Sequence, residues 1–245
     1  MPADEAEVSR ARLLTLCPTG FEEVDRGDDV ELAVYTDEAG EARLRSAFAG
    51  VVSAEPVPLG WEERWRSFHR PARAGGLWIG PPWETAPPGE PAVVVDPGRA
   101  FGTGAHPTTR ACIELLSELD RGSVLDAGTG SGVIAAAAAR LGFEPIYAID
   151  VDPAAVEAAS ATARRNGVDI TLWQGDALTA ELPEVELVVA NIELRAVEAL
   201  LERRPAARAV TSGYLVRDTP RAEGWEPGSR LELDGWAADV LVASQ

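Results

Sequence analysis

The sequence has 245 residues, of which 46% are hydrophobic, and it carries two cysteines and a formal net charge of −18. These values are typical of a globular protein long enough for one large domain and a small one. The two cysteines fit neither a disulfide framework nor a metal-ligand spacing, and no apolar run is long enough to predict a membrane span. Because the first residues are acidic rather than basic and apolar, no secretory signal is indicated, and we expect a cytoplasmic location.

All 22 basic residues are arginines. Without lysine the sequence excludes a pyridoxal Schiff base and the G-K-[ST] form of a phosphate-binding loop. The acidic balance disfavours attraction to nucleic-acid phosphates and favours a basic protein partner. We therefore expect no direct nucleic-acid binding and no membrane association.

The first predicted domain spans residues 1–55, where short apolar runs and the helix-like EARLRSAF are separated by turn-like PTG, RGDD and DEAG. This pattern predicts a small α+β domain for substrate recognition. Residues 56–91 are rich in proline, glycine and tryptophan, which indicates a linker with structure of its own. Its tryptophans either pack the linker on its neighbours, which we favour, or shape a partner surface. These residues are Trp61, Trp65, Trp78 and Trp83.

Residues 92–245 alternate apolar, strand-like runs with helical ones. Strand candidates in chain order are AVVVD, SVLDAG, EPIYAID, DITLWQGD, VELVVANI and ARAVTSG. One helix is delimited by Asp152-Pro153 at its start and Gly167 at its end. RLELDGWAADVLVA predicts a closing hairpin. Strands that alternate with helices predict an α/β domain with a parallel sheet covered on both faces.

The motif LDAGTGSG places Asp126 at the end of a predicted strand and glycines at 128, 130 and 132 before the next helix. Glycines allow the backbone to approach a ligand and bring helix N–H groups beside it. Asp150 ends the following strand, where a carboxylate can accept both hydroxyls of a ribose. Together these residues predict a nucleoside site.

Two nucleoside ligands compete for this motif. Dinucleotide enzymes use G-x-G-x-x-G to approach a pyrophosphate, and an acid just before the first glycine would repel that anion. Here the pattern is D-x-G-x-G-x-G. The acid suits a cationic ligand, and S-adenosylmethionine carries a sulfonium and an ammonium. An NAD-dependent oxidoreductase is the alternative that the glycine spacing disfavours.

Two further strand ends carry polar side chains. Asp176 follows the third strand, where it either meets the adenine edge or serves as a turn residue, and the sequence leaves both open. Asn191 follows the fourth strand, within reach of the methionine end or the incoming nucleophile. Because ligands bind beyond the carboxyl ends of parallel strands, these positions are predicted to converge on one crevice.

The residues from Trp61 to Asn191 resemble a known family, the PrmA methyltransferases of a large-subunit ribosomal protein. The likeness is carried by WEERWRSFHRPARAGGLWIGPPWE, VVVDPGRAFGTGAHPTTRACIELL, VLDAGTGSGVIAAAAARLG, AIDVDPAAVEAASATARRNGV and ELVVANIEL. This resemblance implies a Rossmann-like seven-stranded class I methyltransferase domain and a small N-terminal domain that holds the ribosomal protein. It also implies S-adenosylmethionine as cofactor and methylation of the protein's α-amine and lysines.

The resemblance also implies roles for individual residues. Thr109, Gly128, Asp150 and Asn191 match the family's cofactor contacts, and the loop from Phe101 to Thr109 would lie over the cofactor, with Phe101 near the methyl-transfer site. We predict Asn191 as the catalytic residue, which orients the acceptor amine. The predicted cofactor-binding residues are Phe101, Thr103, Gly104, Thr109, Asp126, Gly128, Gly130, Gly132, Asp150, Asp176 and Asn191.

The sequence departs from the family pattern at both ends. The N-terminal module is short, and the segment after Asn191 lacks the usual glycine-rich turn and much of the following helix. A different protein or small-molecule amine is therefore an alternative acceptor, and a binding module without turnover is another. His106 could take a proton, but we interpret it as a structural loop residue. Glu193 either helps to hold a cationic substrate amine or is a helix N-terminal acid, which is the interpretation we favour. We expect a monomer without a metal site.

Overall fold

The computed structural model describes residues 22–25, 30–34, 36–48, 52–55, 69–97 and 104–244, together with positions 9, 13 and 16. The chain divides into two compact units, Met1–Trp61 and Glu62–Gln245. Two residues of the predicted cofactor loop, Phe101 and Thr103, lie outside the described residues, as do Trp61 and Trp65.

The first unit contains a two-stranded antiparallel sheet, β1 (Glu22–Asp25) and β2 (Val30–Ala33), and the helix α1 (Glu38–Ala47). The helix begins at Asp37, whose Oδ1 accepts a hydrogen bond of 2.8 Å from the Gly40 N–H. Such a side-chain acceptor satisfies one of the free donors in the first turn. The helix predicted for EARLRSAF is confirmed.

The described part of the second unit begins with a small sheet in the order β3 (Ala72–Ala74), β4 (Leu77–Gly80) and β5 (Ala92–Val94). Two of its strands lie in the segment predicted as a linker. The strand predicted at AVVVD is present as β5, but it pairs parallel to β4 rather than joining the large sheet. The strand would bury apolar side chains in the small sheet or in the large one, so its sequence pattern does not indicate which sheet it joins.

Within the part of the chain that the structure describes, the outer edge of β5 is bonded by side chains rather than by another strand. The Asn166 amide accepts from the Val94 N–H and donates to the Val94 carbonyl, each over 2.8 Å. The Arg140 Nε donates to the Ala92 carbonyl over 3.1 Å. Asn166 is buried and also donates to the Thr162 carbonyl, so the small sheet is fixed to the helical layer.

A seven-stranded sheet forms the centre of the second unit. Its strands are β6 (Val124–Ala127), β7 (Ile146–Asp150), β8 (Thr171–Gln174), β9 (Val185–Asn191), β10 (Ala206–Leu215), β11 (Trp225–Leu233) and β12 (Trp236–Ala243), in the order β11-β12-β10-β9-β6-β7-β8. The five strands from β6 to β10 are parallel, and β12 is antiparallel to both of its neighbours. The predicted α/β class is confirmed.

The closing hairpin is also confirmed. Strands β11 and β12 pair antiparallel around a two-residue turn, Asp234–Gly235, and both turn residues have positive φ, 51° and 83°. Aspartate followed by glycine is a preferred sequence for this turn because both residues tolerate the left-handed conformation.

Among the described residues of this unit, four helices connect or flank the strands: α2 (Pro107–Glu118), α3 (Val133–Leu141), α4 (Pro153–Asn166) and α5 (Leu194–Glu202). Helix α4 begins and ends where the sequence predicted, since Asp152 accepts from the Ala154 N–H and Gly167 caps the end in the left-handed conformation. Among the helices that the structure describes, none has the length and apolar character to cross a membrane.

The central strands of the sheet are buried on both faces. In β9, Leu187 and Val189 pack in the cluster with α2 and α3, whereas Val188 and Ala190 pack in the cluster with α5. All four side chains are fully buried, as alternation in a strand covered on both faces requires. Because β6 to β10 are parallel, their carboxyl ends meet at one edge of the sheet, which is where the predicted site residues lie.

Candidate active site

The glycine loop connects the end of β6 to the start of α3. Its glycines at 128, 130 and 132 have positive φ angles of 75°, 54° and 77°, which side chains with a Cβ rarely adopt. The N–H groups of Gly128 and Thr129 donate to the Ile149 carbonyl over 2.9 and 3.1 Å, so the loop is fixed to the end of β7. At position 132 a Cβ would come within 2.8 Å of Ala159 on α4, so this glycine also allows the two helices to approach.

Asp150 lies at the end of β7 beside the loop. Its Oδ2 accepts from the Gly130 N–H over 2.9 Å, and its Oδ1 accepts from the Asp152 N–H over 3.0 Å. Its backbone carbonyl accepts from the Gly175 N–H at the end of β8. The half-buried carboxylate is thus held next to the glycine loop, in the place where the sequence predicted a ribose acceptor.

Asp126 lies beneath the same loop and is only 2% exposed. Its Oδ2 accepts from the Thr129 Oγ1–H over 2.7 Å and from the Ala135 N–H over 3.1 Å. Burial raises the pKa of this carboxyl from 3.8 to about 6; the two hydrogen bonds oppose that rise, and the nearby charge of Asp150 adds to it. The carboxylate therefore joins the loop, through Thr129, to the first turn of α3, through Ala135.

Asp176 follows β8 and is half-buried. Its Oδ1 accepts from the Leu178 N–H over 2.8 Å, which is the bond of an Asx turn. The preceding residue, Gly175, is bonded to the Asp150 carbonyl, so this turn adjoins the end of β7. Contact with an adenine edge stays a prediction.

Asn191 ends β9 and meets the start of α2. Its Nδ2 donates to the Oγ1 of Thr109 over 3.4 Å, and Thr109 is 1% exposed. In the sheet, Asn191 lies opposite Ser212 of β10, and the next N–H, of Ile192, donates to the Ser212 carbonyl over 3.2 Å. Two of the residues predicted to contact the cofactor are thus adjacent although they are far apart in sequence.

Gly104, the first described residue of the predicted cofactor loop, lies between the small sheet and α3. A Cβ at this position would come within 2.3 Å of the Ile79 Cγ2 on β4 and 3.5 Å of the Val133 Cγ2. Because Val133 directly follows the glycine loop, Gly104 adjoins the same end of the sheet. Phe101 and Thr103 belong to the part that the structure does not describe.

His106 has the surroundings expected of a structural residue, whereas the Glu193 side chain makes no capping hydrogen bond to its helix. The His106 Nδ1 is 2.8 Å from the Thr108 Oγ1 at the start of α2, and its ring packs edge-on against Trp236 with centroids 5.1 Å apart. Burial lowers the pKa of this imidazole. Glu193 precedes α5 and is exposed.

Contacts link these residues into one continuous site. Asp150 bonds the glycine loop at Gly130, and a Cβ at Gly128 would meet the Ile192 side chain at 2.5 Å, next to Asn191. The sequence reasoning overlooked Ile192 and Gly213 of β10. The lone glycine inside the strand pattern AVTSGYL was an available signal, because it indicates a bulge or a close backbone approach.

The arrangement suits a nucleoside ligand with a polar, charged end. It offers a carboxylate at the end of β7, backbone N–H groups at the start of a helix and an amide at the end of β9. Within the described ranges, no group of three or more His, Cys, Asp or Glu side chains could hold a metal ion.

Comparisons with known proteins give one consistent result. The family model described as "Ribosomal protein L11 methyltransferase (PrmA)" matches residues 39–221. The chain is 38% identical over 236 residues to the ribosomal protein L11 methyltransferase of Symbiobacterium thermophilum, covering 87% of this chain and 77% of that protein. To the protein of the same name from Dechloromonas aromatica it is 39% identical over 196 residues, covering 76% of this chain and 66% of the relative.

A solved structure is also similar. The crystal structure of a ribosomal protein L11 methylase from Lactobacillus delbrueckii subsp. bulgaricus superposes with a TM-score of 0.63 at 26% identity. The match covers 69% of this chain and 96% of that one.

Proposed function

The chain belongs to the ribosomal protein L11 methyltransferase (PrmA) family, and we propose that it methylates the N-terminal α-amine and lysine side chains of ribosomal protein L11. It is an S-adenosylmethionine-dependent methyltransferase with the class I fold. The expectation of this class from the sequence is confirmed. The acceptor and its sites are the proposal.

The observation that carries the proposal is the pairing of the Asp150 carboxylate with the glycine loop. Asp150 would hold the ribose hydroxyls of S-adenosylmethionine, with Asp176 at its adenine end. Gly104, Gly128, Gly130 and Thr109 would surround the methionine end. The residues fit this ligand because a carboxylate lies beside backbone N–H groups at the start of a helix. A Cβ at Gly128 or Gly104 would displace this backbone by clashing with Ile192 or Ile79. We retain Phe101 and Thr103 in the proposed set.

Asp126 has an indirect part in this proposal. Its carboxylate is engaged by Thr129 and Ala135, so it would act on the cofactor through the loop's shape and through its charge beneath a cationic ligand. Gly132 likewise contributes through the approach of α3 to α4. Both residues support the cofactor position from behind the loop.

The chain's task is to present a neutral nitrogen in line with the methyl group. When bound, S-adenosylmethionine supplies a methyl on a sulfonium, and the carbon–sulfur bonding electrons return to sulfur as a neutral thioether leaves. A lysine amine has a pKa of about 10.4 and an α-amine about 7.7–8.0, so the α-amine is far more often neutral at pH 7. The proton that the nitrogen loses passes to water.

Asn191 is proposed to orient this nitrogen. Its Nδ2 is used toward Thr109, which leaves the Oδ1 to accept an N–H of the acceptor amine and to direct the lone pair. Holding the two reacting atoms in line supplies much of the rate in such a transfer.

The net charge of −18 supports the choice of a basic protein as acceptor, because opposite charge speeds the encounter of the two proteins. We further propose that residues 1–55 form the domain that holds the ribosomal protein, that 56–91 link it to the methyltransferase domain of 92–245, and that the enzyme is a cytoplasmic monomer without direct nucleic-acid binding.

The test is methyl transfer in vitro. The purified chain is incubated with S-adenosylmethionine carrying a labelled methyl group and with purified ribosomal protein L11, and the products are mapped by mass spectrometry. We expect label on the α-amine and on lysines. A chain that binds S-adenosylmethionine but leaves L11 unlabelled would refute the proposed acceptor, and labelling of another protein or of a small amine from the same cells would identify the alternative.

A further inference from the structure

Ile192, the residue after Asn191, packs against the glycine loop. A Cβ built on Gly128 would lie 2.5 Å from the Ile192 Cγ2, a distance that heavy atoms do not tolerate, so the side chain occupies the space in front of this glycine. Ile192 is half-buried and packs on the apolar cluster of the α5 face. Its side chain therefore rests on the loop that is proposed to hold the cofactor.

The backbone of Ile192 is fixed from the other side by Gly213 of β10. Gly213 has a φ of 102° and lies at a register shift between Ser212 and Tyr214. A Cβ at this position would come within 2.0 Å of the Ile192 carbonyl oxygen and 2.7 Å of its carbonyl carbon. The Ile192 N–H donates to the Ser212 carbonyl, so the bulge both bonds this residue and allows the close approach.

We propose that Ile192 is a positioning residue that sets the distance between the glycine loop and the Asn191 amide. The inference rests on the proposed function for the role of Asn191. A β-branched side chain suits this position because branching at Cβ restricts χ1, so its Cγ2 can act as a spacer. With Gly128 in front and Gly213 behind, a shift of the loop is passed to the backbone that carries Asn191.

The first test needs no methyl acceptor. Affinity for S-adenosylhomocysteine is measured by calorimetry for the wild type, Gly128→Ala, Ile192→Ala and the double variant. We expect Gly128→Ala to weaken binding about 30-fold and Ile192→Ala about 3-fold. Because Ile192→Ala removes the Cγ2 that the new methyl meets, adding Gly128→Ala to it should cost about 5-fold rather than 30-fold. Single effects that simply multiply in the double variant would overturn the proposal.

The second test separates positioning from packing. Ile192→Ala should lower kcat about 10-fold with the KM for the acceptor within 2-fold, whereas Ile192→Val, which keeps the branched carbon, should retain at least half of kcat. The matched control is Val197→Ala, a fully buried residue of α5 in the same cluster, which should lower Tm at least as much but leave kcat within 2-fold.

An Ile192→Ala enzyme that loses Tm like the control and keeps its kcat would show a core residue only, and the proposal would fall. A wild type that transfers no methyl to L11 refutes the proposed function instead. In that case the S-adenosylhomocysteine affinities of the single and double variants of Gly128 and Ile192 alone decide the positioning role.

Discussion

The two halves of the large sheet hold their polar residues in different ways. In the half formed by β6, β7 and β8, carboxylates at strand ends are bonded mostly by backbone N–H groups of the loops beside them, as Asp150 is by Gly130 and Asp152. In the half formed by β10, β11 and β12, side chains bond one another between strands. The first arrangement shapes a surface for a ligand, and the second holds strands together. Variants in the first half should therefore lose ligand affinity, and variants in the second half should lose stability.

The inter-strand network of the second half centres on Asp239 of β12, which is 5% exposed. Its Oδ2 accepts from the Tyr214 hydroxyl over 2.8 Å and from the Arg230 NH1 over 3.0 Å. The Tyr214 hydroxyl lies 2.8 Å from the Thr211 Oγ1, and desolvation raises the pKa of this phenol. The carboxylate is thus buried with a cationic partner, which makes loss of that partner costly.

The largest effect is expected at Asp150. Asp150→Ala removes the ribose acceptor and should weaken S-adenosylhomocysteine binding at least about 100-fold, since each hydrogen bond to a charged group contributes about 1.5–3 kcal/mol. Calorimetry measures the change. Asp152→Ala is the control, because the Asp152 N–H to Asp150 remains and only the start of α4 loses an acceptor; its affinity should stay within about 3-fold. Comparable affinity in both variants would contradict the assignment.

A smaller effect, on folding rather than binding, is expected at Arg230. Arg230→Met leaves the Asp239 carboxylate without its cation and should lower the free energy of unfolding by about 2 kcal/mol, less than for a fully buried pair because the arginine side chain is 25% exposed. Urea unfolding measures this change. The folded variant should bind S-adenosylhomocysteine within about 2-fold of the wild type. Arg164→Met on the exposed face of α4 is the control and should lower the free energy of unfolding by under about 0.5 kcal/mol. If Arg230→Met lost affinity as Asp150→Ala does, the two halves of the sheet would not differ in function.

The next effect, on turnover, is expected at Asn191, where the halves meet. Asn191→Ala should bind the cofactor within a few-fold of the wild type but lower kcat about 10-fold, or about 1.4 kcal/mol, because the acceptor nitrogen loses its orienting partner. Single-turnover kinetics with labelled methyl donor measures it. Glu193→Ala, two residues away and exposed, should stay within about 2-fold. Equal rates for wild type and Asn191→Ala would remove Asn191 from the mechanism.

The smallest effect is a pH dependence of stability from Asp126. Its folded pKa of about 6 lies above the ordinary value, so the folded state binds this proton more tightly and loses stability as pH rises toward and through 6. From pH 5 to pH 7 the expected loss is about 1 kcal/mol. Asp126→Asn cannot titrate, and urea unfolding at both pH values should show a correspondingly smaller change. Parallel behaviour of the two proteins would contradict the raised pKa.

The same contrast explains how much the sequence could predict. The order of the strands from β5 to β12, the glycine loop, Asp150 and the final hairpin follow from local patterns such as D-x-G-x-G-x-G and Asp-Gly, and all of these are present. The pairing of β5 with β4 and the burial of Asp126 depend on residues distant in the chain. No local pattern indicates that Gly213 approaches Ile192 in particular, because that contact exists only once β9 and β10 are paired.

The side-chain bonds on β5 have a consequence for the behaviour of the protein in concentrated solution. A strand at the edge of a sheet exposes unpaired amides and carbonyls on which a strand from another molecule can assemble. Asn166 and Arg140 already bond the backbone groups of Val94 and Ala92 to which a strand from another molecule would have to bond. Two side chains from the helical layer thus oppose strand pairing between molecules at the outer edge of β5.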